Sequence, residues 1–236
     1  MLERESKLVF KQISKQASDN EYMAQAIRLA EKPVFSPHPN PRVGCVIVLN
    51  NQIVGEGFHE YAGGPHAEVN ALKQAGELAK AATAYVSLEP CCFFGKTAPC
   101  VDALIKAQVK KVFIAMLDPN PKVAGKGKAL LEQAGIEVVS GLLEAESKAL
   151  NKGFIQRMTL GRPWVRCKVA MSLDGRTAMA NGESQWISGS AARQDVQRYR
   201  AKSDAILTGI GTVLTDNPRM TVRDIEAVNS KFRQPL

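Results

Sequence analysis

Residues 43–49, Val-Gly-Cys-Val-Ile-Val-Leu, constrain the fold more than any other stretch of the chain. The run is apolar at nearly every position, so neither face of a strand built from it can meet water. Such a strand must be covered on both sides. Upstream, Pro33, Pro37, Pro39 and Pro41 forbid regular structure and force a loop. Downstream, Asn50-Asn51 turns the chain into a second strand over 53–58. Helices are then expected over 66–75, ending at Gly76, over 100–109 and over 127–134, stopped by Gly135. Between and after them, short apolar runs predict strands at 84–88, 112–116 and 136–139. Ahead of all this, Ser18 or Asp19 can cap a helix over 21–32, with Met23, Ile27 and Ala30 on one face. Residues 1–18 read as a polar, helix-compatible extension. After one hairpin, strands alternate with helices, which predicts an α/β sandwich with helices on both sheet faces.

A connecting helix is expected over 144–158, broken by Gly161-Arg162-Pro163. A second pattern follows: a strand over 165–171, a helix over 190–202 and a strand over 205–208. This region of roughly 80 residues is near the lower limit for an independent core. It reads as unfinished, because no closing element is recognisable before Leu236. The expected divisions are an extension (1–20), a first domain (21–145), a connecting helix and linker (146–163) and a partial second domain (164–236).

Three fragments stand at the ends of these predicted elements: Pro65-His66-Ala67-Glu68, Glu89-Pro90-Cys91 and Pro99-Cys100. A catalytic zinc site takes three protein ligands and keeps a fourth position open. His66, Cys91 and Cys100 supply one imidazole and two thiolates for it. Each sits at or just before a predicted helix start, where free N–H groups and the helix dipole favour thiolate over thiol. Glu68, two residues from His66, can reach water at the metal without being a ligand, the placement of a proton shuttle. The deaminase signature His-x-Glu with Pro-Cys-x-x-Cys differs here in one respect: the second cysteine follows after nine residues, not three. Cys45 and Cys167 lie in predicted strands and read as core, and Cys92 as a packing thiol.

Composition narrows the setting. Lys plus Arg total 31 against 23 Asp plus Glu, a net charge of +8, which suits an anionic partner. The basic residues never form a run of five, which argues against a nucleic-acid-binding tail. The N-terminus is charged from its third residue and has no apolar signal core, and no apolar run approaches the roughly 18 residues of a membrane span. Five cysteines without these features point to a reducing compartment, with the cytoplasm as the expected location.

The chain also contains longer distinctive words: HPNPRVGCVIV at 38–48, GFHEYAGGPHAEVNAL at 57–72, AYVSLEPC at 84–91, DPNPKVAGKG at 118–127 and MSLDGRTAMANGESQWISG at 171–189. Together these resemble the bifunctional riboflavin-biosynthesis deaminase/reductase of bacteria, from about residue 21 to the end. The resemblance implies a cytidine-deaminase-like three-layer α/β/α sandwich, followed by the N-terminal part of a dihydrofolate-reductase-like α/β domain. The implied reaction of the first domain removes the 2-amino group of 2,5-diamino-6-ribosylamino-4(3H)-pyrimidinone 5′-phosphate. His66, Cys91 and Cys100 match the family's zinc ligands and Glu68 its proton shuttle. Asn40, Lys96, Asp118 and Asn120 match substrate-pocket positions; Lys96 suits a phosphate and the others ring or ribose edges. As residues alone, Asn40 and the Asp118-Pro119-Asn120-Pro121 segment read equally as turns.

In the second domain, Ala170, Trp186, Thr212 and Asp216 match NADPH-contacting positions. Ser184, Arg200, Met220 and Arg223 match positions that hold the phosphorylated substrate. The family domain continues past residue 236, so the expectation is a deaminase with an incomplete NADPH reductase. The family also implies a homodimer or tetramer. One departure lies near the zinc: a histidine usual in the family is replaced by Phe93, and a proline by Ala98. Two other readings stay open on the sequence, a nucleoside or tRNA deaminase and a non-catalytic zinc-stabilised module.

Overall fold

The computed structural model describes residues 19–33, 39–95, 97–223 and 234–236. The expected extension lies outside these residues apart from its last two positions, as does Lys96. Two compact units emerge, Met1–Trp164 and Val165–Leu236.

The first unit is built on one mixed sheet. Strand β1 (Gly44–Leu49) is the apolar run, and β2 (Gln52–Phe58) returns antiparallel to it. Asn50 and Asn51 make the connection with φ of 51° and 62°. Both values lie in the left-handed region a tight hairpin needs, which asparagine tolerates. β3 (Thr83–Val86) pairs antiparallel with the other edge of β1, and β4 (Lys111–Ile114) and β5 (Glu137–Ser140) follow in parallel. The order is β2-β1-β3-β4-β5.

Strand alternation explains why the apolar run needed two covers. Cys45 and Ile47 point to one face with Ala84, Val86, Val112 and Ile114. There they meet α2 (Ala67–Ala75), α3 (Cys100–Lys106) and α4 (Lys126–Gln133), which contribute Ala71, Leu104 and Leu131. Val46, Val48, Tyr85 and Phe113 point the other way, onto α1 (residues 19–31) through Met23, Ala26 and Leu29. Each large apolar side chain buried this way contributes roughly 1.5–3 kcal/mol. The three-layer arrangement expected from the sequence is the one found. Asp19 is helical rather than a cap, and its carboxylate accepts the Tyr85 hydroxyl at 2.5 Å.

Close approach of α2 to β2 depends on glycine. A Cβ at Gly57 would stand 2.2 Å from the Ala67 carbonyl oxygen and 2.4 Å from the Ala71 nitrogen. Neither backbone atom can yield without moving the helix that begins beside His66. Gly57→Ala should therefore lower the unfolding free energy by about 1–3 kcal/mol. Urea denaturation checks this, with Gly211→Ala as control, since nothing lies within 4 Å of a Cβ there.

The expected single connecting helix is two: α5 (Glu144–Leu150) and α6 (Lys152–Leu160), parted at Asn151 with φ −117° and ψ 31°. Asn151 leaves the helical path because its side chain grips the loop before β1. Its Oδ1 accepts the Arg42 amide and its Nδ2 donates to the Arg42 carbonyl, both at 2.8 Å. The Ser147 hydroxyl donates to the Ser87 carbonyl at the end of β3. A short 3-10 turn, Gly76–Ala79, follows α2 where the sequence showed only a stop.

The second unit has α7 (Ser190–Ala201), close to the expected helix, and α8 (Ile210–Asp216), which sequence periodicity did not reveal. The strands expected at 165–171 and 205–208 are not formed. A strand's backbone groups need a neighbouring strand, and among the described residues none runs beside 165–171. Asp204 and Ile206 make a two-bond backbone pairing with Leu236. Val165 and Leu207 are accordingly 78% and 98% exposed. Cys167, read as core, is exposed for the same reason. No helix among the described residues is long and apolar enough to cross a membrane.

Candidate metal centre and its cavity

The α2 and α3 helices present their first turns to one point. His66 precedes α2 in an extended conformation, and Cys100 is the first residue of α3. Cys91 lies in the irregular segment after β3, not at a helix start as the sequence suggested. It still draws on a helix end, because the Cys100 amide donates to its Sγ at 3.3 Å. The ligand atoms of His66, Cys91 and Cys100 lie within 4.8 Å of one another. His66 Nδ1 is the inward atom, 3.2 Å from Cys100 Sγ and 3.5 Å from Cys91 Sγ. One imidazole and two thiols, converging and half-buried or buried, fit a tetrahedral zinc with its fourth position open.

Electrostatics favour a thiolate at Cys91. The Cys91 thiol is held well below the usual range by hydrogen bonds from Cys100 and then His66, while its hydrogen-bonded neighbour Cys100 is pushed up. His66 Nε2 faces the Thr97 hydroxyl at 3.3 Å, a contact that fixes the ring so that Nδ1 turns inward. The sequence offered no signal for Thr97. Glu68, in the first turn of α2, is 3% exposed, and burial raises its carboxyl, followed by the nearby Cys91.

His66, Glu68, Cys91 and Thr97 line a cavity of about 320 Å³. Of the substrate positions expected from the sequence, Asn40, Asp118 and Asn120 line it, and Lys96 lies outside the described residues. Asp118 and Asn120 also hold their own turn: Asp118 Oδ1 accepts the Asn120 amide at 2.8 Å and Asn120 Oδ1 the Lys122 amide at 3.1 Å. The turn reading and the pocket placement are thus compatible. Burial lifts the Asp118 carboxyl to about 6. Phe93 stands on the wall, 38% exposed.

Two buried residues that sequence reasoning passed over organise this wall. Glu89 Oε2 accepts the amides of Asp118 (3.0 Å) and Gly125 (2.9 Å), and its Oε1 accepts that of Lys128 (3.1 Å). One carboxylate therefore ties the 118–128 segment and the start of α4 to the strand end that carries Cys91. His59 Nδ1 donates to the Pro65 carbonyl at 3.0 Å, so its Nε2 accepts the Asn40 amide at 3.1 Å. Burial lowers the His59 pKa, which keeps that neutral form.

In the second unit, Arg200 and Arg223 come together: both guanidinium groups donate to the Arg219 carbonyl, at 2.9 and 3.1 Å. Met220 is the next residue. Burial, then the charge of Arg223, lowers the Arg200 pKa. Thr212 and Asp216 ride on α8. Trp186 is 71% exposed beneath the Arg193 guanidinium, 4.3 Å from its ring centre, and Ala170 and Ser184 lie in irregular segments.

Comparison with known proteins agrees with both halves. The family described as the cytidine and deoxycytidylate deaminase zinc-binding region matches residues 16–116, and the RibD C-terminal domain matches 163–236. The chain is 59% identical over 205 residues to riboflavin biosynthesis protein RibD of Escherichia coli K12, covering 87% of this chain and 56% of that protein. It is 51% identical to RibD of Bacillus amyloliquefaciens over 90% of this chain and 57% of that protein. The chain thus spans little more than half the length of these curated relatives. Among solved structures, Acinetobacter baumannii RibD superposes with a TM-score of 0.90 at 57% identity, over 93% of this chain and 62% of that one. A diaminohydroxyphosphoribosylaminopyrimidine deaminase/5-amino-6-(5-phosphoribosylamino)uracil reductase from Thermotoga maritima gives 0.85 at 42%, over 94% and 62%. Both matched regions lie in the same order as in these relatives, and along the length they share the chain is similar to the RibD proteins of riboflavin biosynthesis.

Proposed function

We propose that this chain is a zinc-dependent hydrolytic deaminase acting on 2,5-diamino-6-ribosylamino-4(3H)-pyrimidinone 5′-phosphate. The observation that carries the reading is the convergence of His66, Cys91 and Cys100 beside a cavity lined by His66, Cys91 and the buried Glu68. Those three side chains would hold a zinc ion, which would supply Lewis acidity to the reaction. Glu68 takes a proton from the attacking water and delivers it to the exocyclic nitrogen, which leaves as ammonia while the ring carbon gains an oxygen. Its raised pKa suits both halves of that transfer. Asn40, oriented by His59, and Asp118 with Asn120, oriented by Glu89, hold ring and ribose edges, and Lys96 meets the phosphate. The reading assigns residues 21–145 to the deaminase domain, 146–163 to the connection and 164–236 to a reductase-like region. There NADPH falls to Ala170, Trp186, Thr212 and Asp216, and the phosphorylated substrate to Ser184, Arg200, Met220 and Arg223.

Ammonia release tests the proposal with three substrates: the phosphorylated diaminopyrimidine, cytidine and adenosine-containing RNA. Turnover of the first alone is expected. Preferential release from either of the others would replace the proposed substrate, and release from none would favour a non-catalytic module.

A further inference from the structure

Helix α6 lies in neither matched region, yet it forms part of the cavity wall. Phe154, Arg157 and Met158 line the cavity, and their spacing of three and four places them on one helical face. The helix is anchored there by Asn151, which holds both backbone groups of Arg42. The charged lining is otherwise acidic: Glu68, Glu89 and Asp118. Among the described residues Arg157 is the cavity's only lysine or arginine. Its guanidinium carries five donors. One reaches the Pro39 carbonyl at 3.4 Å, and no described carboxylate forms an ion pair with it. Arg157 is exposed, which puts this charge at the mouth, where the anionic end of a ligand would remain while its ring enters.

We infer that Arg157 of the connecting helix anchors the substrate's 5′-phosphate at the mouth of the deaminase cavity. The inference rests on the deaminase reading of that cavity. A phosphate at the mouth of a cavity lined by three acidic side chains needs cationic partners; Arg157 would join Lys96 there, and its guanidinium fork matches phosphate geometry. The helix thereby becomes a wall of the site as well as a connection.

The test is calorimetric and does not depend on turnover. The zinc-loaded Glu68→Gln chain is titrated with the phosphorylated diaminopyrimidine and with its dephosphorylated form. Adding Arg157→Ala should weaken binding of the phosphorylated compound about 10- to 100-fold. Binding of the dephosphorylated compound should stay within about twofold, and Arg157→Lys should restore part of the loss. Arg157→Gln, which keeps the stem length, serves if the alanine variant misfolds. Unchanged binding of the phosphorylated compound, or equal losses for both, would overturn the inference and leave the deaminase reading intact. If the Glu68→Gln parent binds neither compound, the substrate assignment falls first.

Discussion

Glu68→Gln should lower deamination by about 10³- to 10⁴-fold while zinc content stays at one per chain. The side chain is nearly isosteric, and Glu68 is not one of the three converging ligand residues. What the amide lacks is a site that accepts a proton and returns it. The two halves of the proposed reaction use the same carboxyl, so losing it stops both. Burial sharpens the effect: at 3% exposure, Glu68 leaves little room for bulk water to substitute as the proton carrier. Steady-state ammonia release with metal analysis of the same sample reads both quantities. A variant that keeps more than a tenth of the wild-type rate would remove Glu68 from the mechanism. Loss of zinc together with activity would instead make it a structural support of the centre.

The sequence made the sheet and the candidate metal ligands legible for different reasons. An apolar run with two buried faces admits few folds, and the hairpin at Asn50-Asn51 fixes the first pairing. His66, Cys91 and Cys100 carry scarce chemistry, so three of them at element ends were informative before any contact was known. Glu89, His59 and Thr97 were opaque because their roles consist of partners distant in sequence. Glu89 binds amides 29, 36 and 39 residues away, and no local pattern encodes that. The break at Asn151 was missed for the same reason, since Arg42 lies 109 residues upstream. Residues 165–171 failed in the opposite direction. Their β-prone composition is real, but strand formation is decided by a neighbour, and composition does not supply one.

Cys100→Ser should cost zinc affinity before it costs fold. Four-ligand structural zinc sites bind with about 10–16 kcal/mol, so one ligand carries about 2.5–4 kcal/mol. Replacing a thiolate with a hydroxyl that does not ionise at neutral pH should weaken zinc about 10²- to 10³-fold, and deamination should fall with the metal. Cys91 would suffer as well. The Cys100 side chain is the largest influence holding the Cys91 thiol low, ahead of His66. Without the thiol, Cys91 keeps the His66 contact and the backbone amide of position 100, which belongs to α3 whatever the side chain. The core should survive, because Leu104 and Val101 on the same helix pack into the sheet independently of the thiol. Competition with a chromophoric chelator gives the affinity, and urea denaturation of the metal-free forms gives the stability. Metal-free wild type and metal-free Cys100→Ser should unfold within about 1 kcal/mol of each other, the range expected for a conservative change of one atom. A gap of several kcal/mol between the metal-free forms would mean that Cys100 stabilises the α3 packing itself, and the zinc-ligand role would then have to be separated from that contribution.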